Sequence, residues 1–277
     1  MVECSPAGQH ANADRARPVA DWYFLGGADL EMQTIAELLR RHAPDRFSDR
    51  GLAWGAKASD YADELEQVRA AGYRPVLIEL PWDLPQPLGD CVLVDHHGER
   101  AGADAATSLE QVFQRLGLPA RDWTRWLALV AANDRGHIAA MQAAGASREE
   151  ITAVRQADRA AQGVTAEQEA QAETAIATRR CLAEGALVEV NLPHGRVAPV
   201  ADRLDAALGG PGFETLVVFS PDEVNVFGPG AVIVGLDRAF PGGWCGGNLP
   251  ERGFWGCAGR ALAADAVRAW LHRHYAA

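Results

Sequence analysis

Cys91-Val92-Leu93-Val94-Asp95-His96-His97 is the stretch that decides how this chain folds. Four apolar residues running into an acid and two imidazoles read as a buried strand whose end carries metal-binding groups. In open α/β sheets, ligands collect outside the carboxyl ends of the strands. At this composition a chance Asp-His-His is expected only about 0.02 times in the chain.

Other acids follow apolar runs in the same way. Trp22-Tyr23-Phe24-Leu25 is a short strand, followed by Gly26-Gly27-Ala28-Asp29-Leu30-Glu31 and then a helix with Ile35, Leu38 and Leu39 at helical spacing. Pro75-Val76-Leu77-Ile78 ends on Glu79, and the apolar run 127–132 is closed by Asn133-Asp134-Arg135-Gly136. A single acid in such a place more often caps a helix or faces water than binds an ion. Four of them, expected at strand ends along one sheet edge, reverse that balance.

The pattern resembles the DHH phosphoesterase superfamily over roughly residues 20 to 145. Asp29-x-Glu31 matches its first Asp-x-Asp motif, Glu79 the acid ending the middle strand, Asp95-His96-His97 the name-giving triplet, and Asp134 the fourth-motif acid. Where the family often has a His four residues before the first acid, this chain has Leu25, and two Asp positions are Glu. The resemblance implies a metal set of Asp29, Glu31, Glu79, Asp95, His96 and Asp134, with Asp95 bridging two ions. It also implies His97 facing the substrate phosphate, Asp95 and His97 being the catalytic pair. Carboxylate and imidazole ligands suit Mn²⁺, with Mg²⁺ or Co²⁺ as alternatives, and a metal-held water would be the nucleophile.

Farther along, Leu187–Asn191 reads as a strand and 200–208 as a helix, with short strands at Thr215–Phe219, 224–227 and 232–234 and a last helix near 257–273. Between them lies Pro241-Gly242-Gly243-Trp244-Cys245-Gly246-Gly247-Asn248, then Gly253-Phe254-Trp255-Gly256. This is similar to the glycine-rich segment of the DHH-associated C-terminal domain, with Asn248 near the place of its His. Gly242, Gly243, Gly246 and Gly247 would let backbone amides approach a phosphate, Asn248 and Arg252 would donate hydrogen bonds, and Trp244, Phe254 and Trp255 could stack on a base. An ordinary loop over buried aromatics is the plainer reading of the same residues. Arg100 and Arg135, like Arg252, stand beside motifs as phosphate forks or as solvated surface groups.

Ser147-Arg148-Glu149-Glu150 and Thr165-Ala166-Glu167-Gln168 are capping boxes that start two helices, the second of which links the halves of the chain. Asp158, Arg159 and Gln162 read as solvated, or as overhanging the cleft between the two halves. The formal charge of −11 argues against a long duplex partner, since phosphate binding needs a basic face. Five cysteines without CxxC spacing indicate neither a disulfide framework nor a zinc knuckle. Neither a membrane-length apolar run nor an apolar signal region is present, so a cytoplasmic protein without a membrane partner is expected.

The expectation is an α/β chain in four parts. Residues 1–20 form a loose tail, and 21–160 a mainly parallel sheet with helices on both faces that holds two divalent cations. A bridging helix at 161–185 leads to a smaller mixed α/β substrate-binding domain at 186–277. Such a protein would hydrolyse short or cyclic nucleotides or short single-stranded oligonucleotides. Inorganic pyrophosphatase and a non-catalytic nucleotide-binding scaffold are the alternatives, and the oligomeric state, a homodimer included, stays open.

Overall fold

The computed structural model describes residues 19–97, 105–247, 249, 251–259 and 261–276. Its first sheet has four parallel strands in the order β2-β1-β3-β4: β1 (Asp21–Leu25), β2 (Phe47–Ser48), β3 (Arg74–Ile78) and β4 (Val92–Val94). Leu25 pairs with Ile78 and Ile78 with Val94, so the tips of three strands end level. That alignment brings separated motifs to one edge.

Parallel strands carry apolar side chains on both faces because both are covered. Tyr23, Leu25, Val76, Ile78 and Val94 pack against α1 (Leu30–His42), α3 (Ser108–Arg115), α4 (Arg125–Ala143) and α5 (Arg148–Ala161). Phe24 and Leu77 face the other way, onto Tyr61 and onto Leu65 and Val68 of α2 (Ala62–Ala70).

The second sheet is mixed, in the order β5-β6-β7-β8-β10-β9. Its strands are β5 (Arg180–Leu182), β6 (Leu187–Asn191), β7 (Thr215–Phe219), β8 (Glu223–Pro229), β9 (Trp244–Gly246) and β10 (Arg252–Ala258). Only β6 and β7 run parallel. One face packs on α6 (Ala166–Ala177) and α7 (Ala198–Leu204) through Ala172, Val190, Val200 and Leu216. The other packs on α8 (Gly230–Ala239) and α9 (Ala261–Tyr275) through Val226, Ile233, Trp255 and Leu271. The two-sheet α/β architecture is the one expected.

Both capping boxes form: Ser147 and Glu150 exchange hydrogen bonds at the start of α5, as Thr165 and Gln168 do at the start of α6. Three expectations are corrected. Residues 232–234 lie inside α8, where Val232, Ile233 and Leu236 bury one helical face; three apolar residues are too few to separate the two periods. The last helix starts at Ala261, because 252–258 pairs with β8 as a strand. Asp158 and Arg159 are buried instead of solvated, held by ion pairs that reach α7. Among the described residues, no helix is long and apolar enough to cross a membrane.

Candidate metal centre

The tips of β1, β3 and β4 deliver most of the acids and imidazoles, and each arrives by a different local device. Beyond β1, Asp29 caps α1, its Oδ1 accepting from Met32 N at 2.7 Å. Two residues on, in the first turn of α1, Glu31 is 2% exposed, with Oε1 accepting from Leu109 N at 2.9 Å. After β3 the chain turns sharply at Glu79, whose φ of +52° is costly for a residue with a Cβ. Gly26 is required beside that turn, since a Cβ there would stand 2.7 Å from Ile78 O. Beyond β4, Asp95 Oδ1 accepts from His97 N at 2.9 Å and lies 3.1 Å from His97 Nδ1.

Asp134 does not come from a strand. The run 127–132 is the buried part of α4, capped by Thr124, and Asp134 projects from that helix into the site. Just beyond it, Gly136 and His137 break the helical geometry, His137 at φ +51°. The chemistry expected at 134 is present, but the element that carries it is different.

Glu79, His96, His97 and Asp134 each present one ligand atom, all within 4.8 Å of one another. His96 is central: its Nε2 touches Asp134 Oδ2 and lies 3.6 Å from Glu31 Oε2 and 3.7 Å from Glu79 Oε1. His97 Nδ1 lies 3.9 Å from Glu79 Oε1, and its side chain is half exposed, whereas His96 is buried. Glu31 Oε2, Glu79 Oε1, His96 Nε2 and Asp134 Oδ2 are buried without a well-formed hydrogen bond. Buried acceptors left unsatisfied are costly, and a divalent cation fits the donor set they form.

The electrostatics point the same way. Burial, reinforced by the Asp134 charge, raises the Asp29 carboxyl to about 7 and pushes Glu31 well above the carboxylate range. Glu79 is raised for the same two reasons. For His96, burial favours the neutral ring, but the adjoining Asp134 and Glu31 carboxylates prevail and lift it to about 10. Burial would likewise raise Asp134, yet His96 holds it below its ordinary value. His97 is raised chiefly by Asp95. Several carboxylates thus share one protonated imidazole as their nearest positive charge, the balance a bound cation would change.

Other predicted residues are placed differently. Leu25, at the family's His position, is fully buried in the core and its carbonyl accepts from the Tyr61 hydroxyl. Arg135 is ion-paired to Glu110 at 2.5 Å and donates to Ala105 O. Arg252 starts β10 and lies 5.6 Å from the Phe213 ring, lining a hollow of about 330 Å³ with Ile138 and Gln142 of α4. Asn248 and Arg100 lie outside the described residues.

The glycine segment is a β-hairpin instead of an open loop, with Gly246 paired to Phe254 and Cys245 to Trp255. A Cβ on Gly246 would stand 2.7 Å from the Phe254 ring, and one on Gly243 2.6 Å from Gly256 O. Those two glycines are explained by strand packing. Trp255 is fully buried and unavailable for stacking. Cys91, Cys181, Cys245 and Cys257 are free thiols.

Two features escaped the sequence reading. Trp54 is 90% exposed, on a loop whose backbone abuts Gly27, two residues before Asp29. Nothing local distinguishes an exposed tryptophan from a core one. Arg155 is buried behind Asn133, and only tertiary packing puts it there.

No family model and no curated protein matches this sequence. Solved structures do. The DHH domain of a member of a ribosomal-protein family aligns at 12% identity with a TM-score of 0.51, over 91% of this chain and 86% of that one. Exonuclease RecJ bound to manganese aligns at 13% identity and TM-score 0.42, over 92% and 90%. An exopolyphosphatase-related protein from Bacteroides fragilis aligns at 11% identity and TM-score 0.44, over 92% of each chain.

Proposed function

We propose that this chain, which has the fold of a DHH domain, is a metal-dependent phosphoesterase acting on short or cyclic nucleotides. The observation that carries the reading is the gathering of three buried carboxylate oxygens, from Glu31, Glu79 and Asp134, around His96 Nε2 at the tip of a parallel sheet. Glu31, Glu79, His96 and Asp134 would hold the ion, with Asp29 and Asp95 at the flanks for a second. Bound there, Mn²⁺, or Mg²⁺ or Co²⁺ in its place, would activate water and stabilise phosphoryl charge.

The chain's own groups supply the rest. Asp95 orients His97 through Nδ1, leaving the half-exposed ring edge free to meet a phosphate or to protonate a leaving oxygen. Residues 21–160 are read as the metal-binding part and 186–277 as the substrate-binding part, with 161–185 between them. Arg252 faces the hollow between the parts and is the candidate for a phosphate or ribose contact. With Trp255 buried, Trp54 on the rim is the better surface for a base to stack on, which favours a nucleotide over pyrophosphate.

A turnover screen tests this directly. Purified protein with Mn²⁺ is offered dinucleotides, cyclic dinucleotides, a nucleoside 3′,5′-bisphosphate and inorganic pyrophosphate. Metal-dependent hydrolysis of the nucleotides is the expected result. Hydrolysis of pyrophosphate alone would move the substrate class, and metal binding without turnover of any of them would leave a binding protein.

A further inference from the structure

Behind the acid cluster lies a second group of charges that the proposed chemistry does not use. Arg155 on α5 is 5% exposed, and its guanidinium is surrounded. Nη1 donates to Asn133 Oδ1 at 2.9 Å and to Asp158 Oδ2 at 2.8 Å, and lies 3.3 Å from His137 Nδ1, while Nε donates to Asp202 Oδ1 at 3.0 Å. Asp202, on α7 of the second half, is shared with Arg159, which also donates to Glu169 Oε1 at 2.7 Å. Asp158 Oδ1 accepts from Leu30 N at 3.4 Å, at the start of α1 and next to Asp29.

Arg155, Arg159, Asp158 and Asp202 form the buried core of an ion-pair network that continues through Glu169 to Arg203. Replacing such a group with apolar residues of like volume is often neutral or stabilising, so stability alone does not account for it. What it touches does. Asn133 precedes Asp134, His137 is the strained residue at the break in α4, and Leu30 follows Asp29. One guanidinium therefore holds the helix that delivers Asp134 directly, reaches the turn that delivers Asp29 through Asp158, and ties both to the second half through Asp202.

We propose that Arg155 is a positioning residue for the metal centre, acting on Asp134 through Asn133, with Asp202 anchoring it from the other half of the chain. The inference rests on the metal-binding reading above. Groups bonded directly to metal ligands typically set metal affinity by about ten- to a hundredfold, and Arg155 acts one residue farther out, through Asn133.

The test is calorimetric titration of the whole protein with Mn²⁺ alone, well below the melting temperature, alongside thermal unfolding. Arg155→Met is expected to weaken Mn²⁺ binding by about tenfold or more. Asn133→Leu removes only the link toward Asp134 and should do the same with a smaller fall in melting temperature. Arg159→Met deletes a comparably buried arginine with no bond to Asn133. It should lower the melting temperature and leave Mn²⁺ affinity close to wild type. Wild-type affinity in Asn133→Leu, or equal losses in Arg159→Met and Arg155→Met, would overturn the proposal even if Arg155→Met fails to fold. A wild-type protein that binds no Mn²⁺ would instead remove the metal reading, and this inference with it.

Discussion

The two sheets use glycines and charged residues in opposite ways. At the edge of the first sheet, backbone economy serves chemistry: Gly26 makes room for the turn at Glu79, and strain at that residue aims a carboxylate into the cluster. In the second sheet, the glycine-rich segment serves packing, with Gly246 beneath Phe254 and Gly243 against Gly256. Both stretches look equally site-like as strings of residues. The difference lies in which polar atoms are left unsatisfied: four metal-ligating atoms converge at the first edge, whereas the hairpin pairs its backbone groups and leaves the single indole N–H of Trp255, a donor that cannot bind a cation. Unsatisfied groups are the better pointer to a ligand.

The sharpest way to break this contrast is to remove one of the convergent acids. Asp134→Asn should cost turnover by roughly 10²–10³ or more, as loss of other preorganised electrostatic groups does, and should reduce Mn²⁺ uptake in parallel. Equal Mn²⁺ binding by variant and wild type would show that the cluster is not the centre. His97→Ala is expected to keep the ion and lower the rate. If the ion is lost, His97 belongs to the ligand set.

The pH dependence of stability asks the same question without turnover. Asp29 rises from 3.8 to about 7 and His96 from 6.5 to about 10, so the folded metal-free protein holds protons that the unfolded chain releases. Their contribution is complete below the ordinary values and is lost as pH climbs through about 7 and then about 10. Asp134, held low, has the opposite sign but acts only in the acid range. Melting temperature without metal should therefore fall between pH 5 and pH 9. Mn²⁺ at about a hundred times its Kd should restore roughly 2.7 kcal/mol, with release of protons on binding. A flat metal-free profile would contradict the crowding of charge at the first edge.

Gly246→Val probes the other side of the comparison. Forcing a branched side chain against Phe254 should destabilise the second sheet by about 1–3 kcal/mol, read as a lower melting temperature with Mn²⁺ affinity unchanged. The smallest effect is expected from Arg252→Ala: a severalfold higher KM with little change in kcat, the sign of lost uniform binding. A fall in kcat with KM constant would place Arg252 closer to the chemistry than the hollow suggests.

Much of this was legible in the chain. Val92–Val94 ending in Asp95-His96-His97, β1 and β3 ending beside acids, and the two capping boxes all form where local pattern puts them. Each is set by contacts within a few residues: alternation or continuity of apolar groups, and a side chain closing its own helix start. The same local rules failed at 127–132 and 232–234, where short apolar runs fit either period and the partners decided for helix.

The sequence by itself thus determined the parallel strands, their acidic and imidazole tips, and the donor types available for a cation. Tertiary structure alone decided that a kinked helix brings Asp134 to His96, that Trp255 and two glycines are packing residues, and that Arg155 lies behind the cluster bonded to both halves. The physical reason is range. Periodicity and caps act over a turn or two, whereas burial, unsatisfied atoms and shared charges arise only when segments tens of residues apart exclude water together.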